Sequence, residues 1–344
     1  MKIAVYGAYG YQGKLVVAEL ARRCIEVILA GRDPDRLRSV GALDADRRVA
    51  DIEDHDSLVA AFRGADAVVN CAGPFIISGM PVIHAAVAAG CHYVDTSGEQ
   101  LHLKQVFETF SGDAGIAIVP GANDDCLPSD LIAALVAARV APVKEITIGL
   151  DLARGTAAPS RGTLRSALAN RAAFTTGGDV YDHGQWLPDT PARRTSMTFP
   201  GSPDLVPVVK FALPGVATVP RHVPAHRVEG VARAELVAAF SSITADLIDK
   251  VPEGPAAEQR RATRFVAIVE AVGTDDRRRA RGVIAGTDTY GTTAIIAVEA
   301  ARRLAADPPK PGALAPAQAY DPTDFLNFLT PYGLTWTERS WPAR

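Results

Sequence analysis

A chain of 344 residues, 48% hydrophobic and 22% charged, is long enough for about two domains with ordinary cores and is neither disordered nor fibrous. Its net charge of −3 gives no electrostatic reason to expect nucleic acid or an anionic membrane surface as partner. Cys24, Cys71, Cys91 and Cys126 have no CxxC spacing, which points to a reduced, cytoplasmic setting. The opening apolar run is broken at Gly7, too early for a signal peptide, and no stretch of about 18 apolar residues suggests a membrane span.

Up to about residue 125, short apolar strands alternate with helical segments, as a parallel sheet covered by helices requires. The strands are expected at Ile3–Tyr6, Val27–Ala30, Arg48–Ala50, Ala67–Cys71, His92–Asp95 and Ile116–Val119. The helices are expected at Gln12–Arg23, Asp33–Val40, Asp56–Arg63, Met80–Ala89 and Gln100–Phe110, with Asp56 as an N-cap and Gly64 as a stop. A helix over Ser129–Ala138 leads out of this region. The rhythm then changes to longer strands at Glu145–Leu152, Val206–Leu213, Arg264–Val272 and Arg277–Thr287, interrupted by helices Gly162–Asn170 and Arg233–Lys250. Residues 173–204 read as a long loop, 291–305 as helix and Pro308–Pro316 as a linker, with the last thirty residues returning to the first domain.

The expected fold is α/β: a Rossmann-type doubly wound parallel sheet with an inserted α+β second domain bearing a largely antiparallel sheet. The first domain would occupy 1–128, completed by 290–344, and the second 129–289.

The strongest pattern is Gly7-Ala8-Tyr9-Gly10-Tyr11-Gln12-Gly13, a GxxGxxG between a strand and a helix. Gly7 permits the tight turn, Gly10 the close approach of a pyrophosphate, and Gly13 the packing of helix on strand. The helix N-terminus offers free N–H groups to phosphate. The second strand ends in Gly31-Arg32, where a dinucleotide site usually places an acidic residue against the ribose 2′-hydroxyl. A guanidinium suits a 2′-phosphate, so NADP(H) is the expected cofactor. Asp33 could serve the ribose or cap the next helix, and Asp51-Ile52 follows the third strand, where an adenine rests. Cys71, Ala72, Gly73 and Pro74 give a close backbone for the nicotinamide end.

Chemistry belongs at the carboxyl ends of the strands. Tyr93, Asp95 and Asp125 are the expected proton donors there. Ser97, Glu99, Asn123, Arg161, Thr163 and Tyr290 are the expected substrate contacts. Cys126 reads as a buried thiol, Pro224 between His222 and His226 argues against a metal pair, and 277–281 reads as a charged hairpin with solvated arginines. No metal is expected.

GAYGYQG (7–13), AGR (30–32), NCAGPF (70–75), HYVDTSGE (92–99) and LPSDL (127–131) resemble the saccharopine-dehydrogenase-like oxidoreductases, including the trans-acting enoyl reductases. SRGTLRS (160–166), TYGTTA (289–294) and PGALAPAQAYDP (311–322) extend the likeness to the second domain. The resemblance implies a nicotinamide-dependent redox step on a C=C or C=N bond of a small or acyl-carrier-linked substrate. The acidic stretch Asn123-Asp124-Asp125-Cys126 departs from the uncharged one usual in the family, so substrate specificity does not transfer. The alternative is a non-catalytic NADP(H)-binding sensor of the same fold. A short-chain dehydrogenase is disfavoured, since no tyrosine has a lysine four positions on. A homodimer is left open by the sequence.

Overall fold

The computed structural model describes residues 1–41, 45–153, 157–202 and 204–341. Residue 203 of the expected long loop and residues 342–344 of the expected C-terminal return lie outside them.

Six strands open the chain: β1 (Lys2–Tyr6), β2 (Glu26–Gly31), β3 (Asp46–Val49), β4 (Ala67–Asn70), β5 (His92–Asp95) and β6 (Ala117–Val119). Between and after them lie α1 (Tyr11–Arg22), α2 (Pro34–Arg38), α3 (His55–Phe62), α4 (Phe75–Ala89), α5 (Gln100–Thr109) and α6 (Leu127–Val140). The strands pair in parallel in the order β6-β5-β4-β1-β2-β3, and Gly312–Ala313 adds a seventh beyond β6. The expected linker therefore carries a strand. Strand order reverses between β1 and β4, which opens a crevice beyond their carboxyl ends.

Two boundaries moved for local reasons. Asp54, not Asp56, caps α3, because its side chain accepts from the Ser57 N–H three residues on. Helix α4 starts at Phe75, five residues before the expected Met80, and carries Pro81 inside it.

The second sheet is mostly antiparallel. Its strands are β7 (Val143–Ala153), β8 (Val180–Asp182), β9 (Gln185–Leu187), β10 (Ser196–Met197), β11 (Val206–Lys210), β12 (Arg227–Arg233), β13 (Arg264–Gly273) and β14 (Arg279–Thr287). The order is β10-β11-β12-β7-β13-β14, and among the described residues only β12 and β7 run parallel. Strand β12 was not expected. Its Arg227 and Glu229 bury each other at 2.9 Å, so a central strand carries charged letters. The expected helix 233–250 is two, Ala234–Ser241 and Ala245–Lys250. Residues 173–204 are not one loop, since they hold the β8–β9 hairpin and β10. The arginines of 277–281, expected to be solvated, are partly engaged: Arg278 in the turn pairs with Asp275, and Arg281 on β14 with Glu270.

The final strand, Thr335–Trp341, pairs with β14 and so belongs to the second sheet rather than the first. Helix Pro322–Leu329 packs on α6, with Arg303–Asp324 joining it to helix Thr289–Ala306. Helix α6 also packs on β13 and β14, and its Leu131, Ile132 and Val136 are fully buried. These residues belong to one hydrophobic cluster with strands of both sheets, so α6 joins the two sheets through one core.

Candidate functional site

A cleft of about 1110 Å³ runs from the glycine turn after β1, past the ends of β4 and β5, to the second domain. Gly7 has φ +78°, and a Cβ there would stand 3.0 Å from the Ala72 backbone nitrogen and Cβ. At Gly13 a Cβ would stand 2.1 Å from the Gly7 carbonyl oxygen, so helix and turn meet only without a side chain. Gly10 precedes α1 and no side chain caps it, which leaves the first N–H groups of α1 without intrahelical acceptors. These are the features a pyrophosphate needs.

Tyr9 lays its ring on Gly31, and the Arg36 guanidinium stands 4.4 Å over that ring. Arg32 lies beside them, exposed and lining the cleft. Asp33 caps α2, its Oδ1 accepting from the Asp35 and Arg36 N–H groups at 3.0 Å each. Lys14 and Arg36 also line this end and were not anticipated. Arg36 sits on α2, four residues beyond Arg32 in the chain. On the far wall, Asp51 accepts from the Glu53 N–H at 3.1 Å and Ile52 lies beside it. Tyr11 and Gln12 line the cleft, but their side chains are engaged by the second domain and the returning helix: Tyr11 Oη donates to Pro255 O at 2.6 Å and Gln12 Nε2 to Tyr290 O at 3.1 Å.

Cys71, Ala72, Gly73 and Pro74 line the middle of the cleft. Burial pushes the Cys71 thiol up, which keeps it protonated. Ser166, on the second-domain helix Arg161–Ala169, leans against Gly73 and narrows the cleft there.

The expected proton donors separate. Tyr93 and Asp95 are fully buried behind the cleft. Asp95 Oδ2 accepts from Tyr93 Oη at 2.9 Å and lies 2.8 Å from His102 Nε2, while its Oδ1 accepts from the Ser97 and Gly121 N–H groups. Burial, then the Asp95 charge, pushes the Tyr93 hydroxyl well up. Neither group is among the residues that line the cleft, and the bonds they make hold the loops after β4, β5 and β6. Ser97 is also buried away from the cleft, accepting from the Glu99 N–H. Glu99 reaches the lining, yet its two oxygens accept from the Phe75 and Ile76 N–H groups at 2.9 and 2.8 Å. It caps α4 from a distance.

Asp125 does face the cleft. Its Oδ1 is buried without a hydrogen-bond partner, and burial pushes its carboxyl up to about 6 against the opposing pull of Asn123 and two backbone N–H groups. Asn123 lies next to it and accepts from the Cys126 N–H at 2.8 Å. Opposite, Tyr290 Oη accepts from the Ser160 N–H at 2.8 Å and lies 2.9 Å from Thr163 Oγ1. Arg161 gives its Nε to Val251 O at 2.7 Å. Behind them Phe174, Phe211 and Phe240 pack at 5.3–5.6 Å between ring centroids and, with Leu150, Leu236 and Phe265, wall the far end.

The family model of the saccharopine dehydrogenase NADP binding domain matches residues 3–119. That stretch of the first domain is similar to a saccharopine dehydrogenase NADP binding domain. Its cofactor is NADP(H), in keeping with Arg32, Arg36 and Lys14 at the adenosine end. The trans-acting enoyl reductase of Mycobacterium ulcerans is 33% identical over 141 residues, 38% of this chain and 34% of that protein. The Mycobacterium leprae enzyme of the same name is 34% identical over 145 residues. The chain thus spans about a third of the length of the curated relatives it matches. Apo saccharopine dehydrogenase (L-Glu forming) from Saccharomyces cerevisiae superposes over 99% of both chains with a TM-score of 0.60 at 14% identity, which shows a shared fold. That likeness includes the second sheet, which lies beyond the matched binding domain. Among the described residues no helix is long and apolar enough to cross a membrane.

Proposed function

We propose that the protein is an NADP(H)-dependent oxidoreductase that reduces the C=C bond of an unsaturated acyl substrate, free or carrier-linked, with Asp125 as proton donor. The observation that carries this reading is the Asp125 carboxyl: it faces the cleft, has an unpartnered oxygen, and is pushed up to about 6. A carboxyl of that kind retains its proton where an ordinary aspartate has lost it. The named activity of the mycobacterial relatives supports a C=C substrate, and the apolar wall of Phe174, Phe211 and Phe240 suits an acyl chain better than a charged amino-acid adduct. NADPH would supply the hydride when bound. The glycine turn and the α1 N-terminus would hold its pyrophosphate, and Arg32 its 2′-phosphate. Cys71–Pro74 would set the depth of the nicotinamide end. Asp125 would deliver a proton to the carbon next to the one reduced, and the phenylalanines would exclude water. A sensor without catalysis would not require an open chamber beyond Gly73 with an acid aimed into it.

The test is consumption of reduced cofactor with enoyl thioesters, enoyl groups on a carrier protein, and imine-forming mixtures of amino acids with keto acids. Turnover of the first two supports the proposal. Turnover of the imine mixture alone moves the reaction to C=N, and no turnover with any of them favours the sensor.

A further inference from the structure

Residues 251–256 of the second domain form a strap across the adenosine end of the cleft. Glu253 Oε2 accepts from Lys14 Nζ at 2.8 Å, and its Oε1 accepts from an Arg36 Nη at 3.0 Å. Next to it, Gly254 packs on the Tyr11 ring and Pro255 O takes the Tyr11 hydroxyl at 2.6 Å. The strap is held from its other side by Arg161, whose N–H donates to Glu253 O at 3.1 Å and whose Nε donates to Val251 O at 2.7 Å. Arg161 opens the helix that carries Thr163 and Ser166 on the substrate side.

Three cations, Lys14, Arg32 and Arg36, therefore surround the end of the cleft, and a single carboxylate from the other domain binds two of them. Both pairs are exposed, with Glu253 at 40%, Lys14 at 45% and Arg36 at 52% of side-chain surface, so each is weak and exchangeable. We infer that Glu253 is a specificity-determining residue for the cofactor: an internal anion that a 2′-phosphate must displace from Lys14 and Arg36. The inference rests on the NADP(H) reading of this site. A phosphate of nearly two charges outcompetes one carboxylate for the same donors, whereas the neutral 2′-hydroxyl of NADH leaves Glu253 in place. Displacement releases Glu253 from Lys14 and Arg36, while Tyr11 and Arg161 keep hold of the strap on either side.

The experiment measures dissociation constants of NADPH and NADH by intrinsic fluorescence for the full chain, for Glu253→Gln, for Arg36→Gln and for the double variant. Glu253→Gln should bind NADPH roughly fivefold tighter, the worth of two exposed ion pairs no longer competing, with NADH unchanged. Arg36→Gln should weaken NADPH, and on that background Glu253→Gln should gain distinctly less. An unchanged NADPH affinity, a weaker one, or equal changes for NADPH and NADH in Glu253→Gln would overturn the inference while leaving the cofactor reading intact. A wild-type protein that binds NADH as tightly as NADPH would instead defeat the cofactor reading and this inference with it.

Discussion

The Tyr93 hydroxyl donates to Asp95 Oδ2 at 2.9 Å and itself takes a bond from Asn70 Nδ2 at 3.2 Å. Asn70 Oδ1 in turn accepts from the Ala72 N–H, and Asp95 Oδ1 from the N–H groups of Ser97 and Gly121. One buried network thus fixes the loops after β4, β5 and β6, which are the loops that line the middle of the cleft. Tyr93→Phe leaves Asn70 Nδ2 without its acceptor and should cost about 1–3 kcal/mol of stability. Asp95→Asn turns an amide towards groups that donate and should cost more, at least about 3 kcal/mol. Urea unfolding checks both. A Tyr93→Phe variant of wild-type stability with a shifted pH–rate profile would restore the tyrosine to the chemistry.

Asp125 makes two separable predictions. As a general acid it works only protonated, so turnover should decline as pH rises above about 6. Asp125→Asn should lose about 10²–10⁴-fold in kcat together with that pH dependence. Stability has its own sign. The folded carboxyl is raised from 3.8 to about 6, so the folded state holds more protons between these values. The stabilisation present below that window is lost as pH rises through it. Urea midpoints at pH 4 and pH 7 should differ less in Asp125→Asn than in the parent, and an unaltered difference would refute the raised carboxyl.

What could be read in advance follows from the range of the forces involved. The GxxGxxG turn and Arg32 are set by neighbours within about thirty residues, and the structure brings them together at one end of the cleft. Strand-end carboxylates were harder. Asp95 ends a strand and Glu99 and Asp125 follow strands, and spacing does not reveal that the first holds loops, the second caps α4 with both oxygens and the third lines the chamber with an unpartnered one. Strand β12 escaped because Arg227 and Glu229 neutralise each other in its interior. The aromatic wall joins positions 174, 211 and 240, which meet only in the folded chain.

Arg32 makes no hydrogen bond within the protein among the described residues and is exposed at the cofactor end, so truncating it should leave the fold untouched. Arg32→Ala should weaken NADPH binding by roughly ten- to a hundredfold, the worth of charge-assisted bonds to a phosphate, and barely alter NADH. Isothermal titration of both cofactors at two salt concentrations checks this. The wild-type preference for NADPH should shrink at high salt, and the variant should show little of that dependence.

Glu99 offers a test of how a distant cap shapes the cleft. Helix α4 begins after Pro74, which has no side chain able to cap it, and the Glu99 carboxylate accepts the two N–H groups that would otherwise be orphaned in a buried place. Glu99→Gln keeps the shape but offers one acceptor oxygen for two donors, and turns its NH₂ towards the other. It should cost about 1–2 kcal/mol, in the range of a lost N-cap. Because Phe75 follows directly on the Gly73–Pro74 segment, the same change should also loosen that segment against the cofactor. The expected result is a lower urea midpoint that NADPH restores less completely than in the parent. Full restoration by NADPH would mean that the cap supports the helix alone and leaves the Cys71–Pro74 loop to the Asn70–Tyr93–Asp95 network.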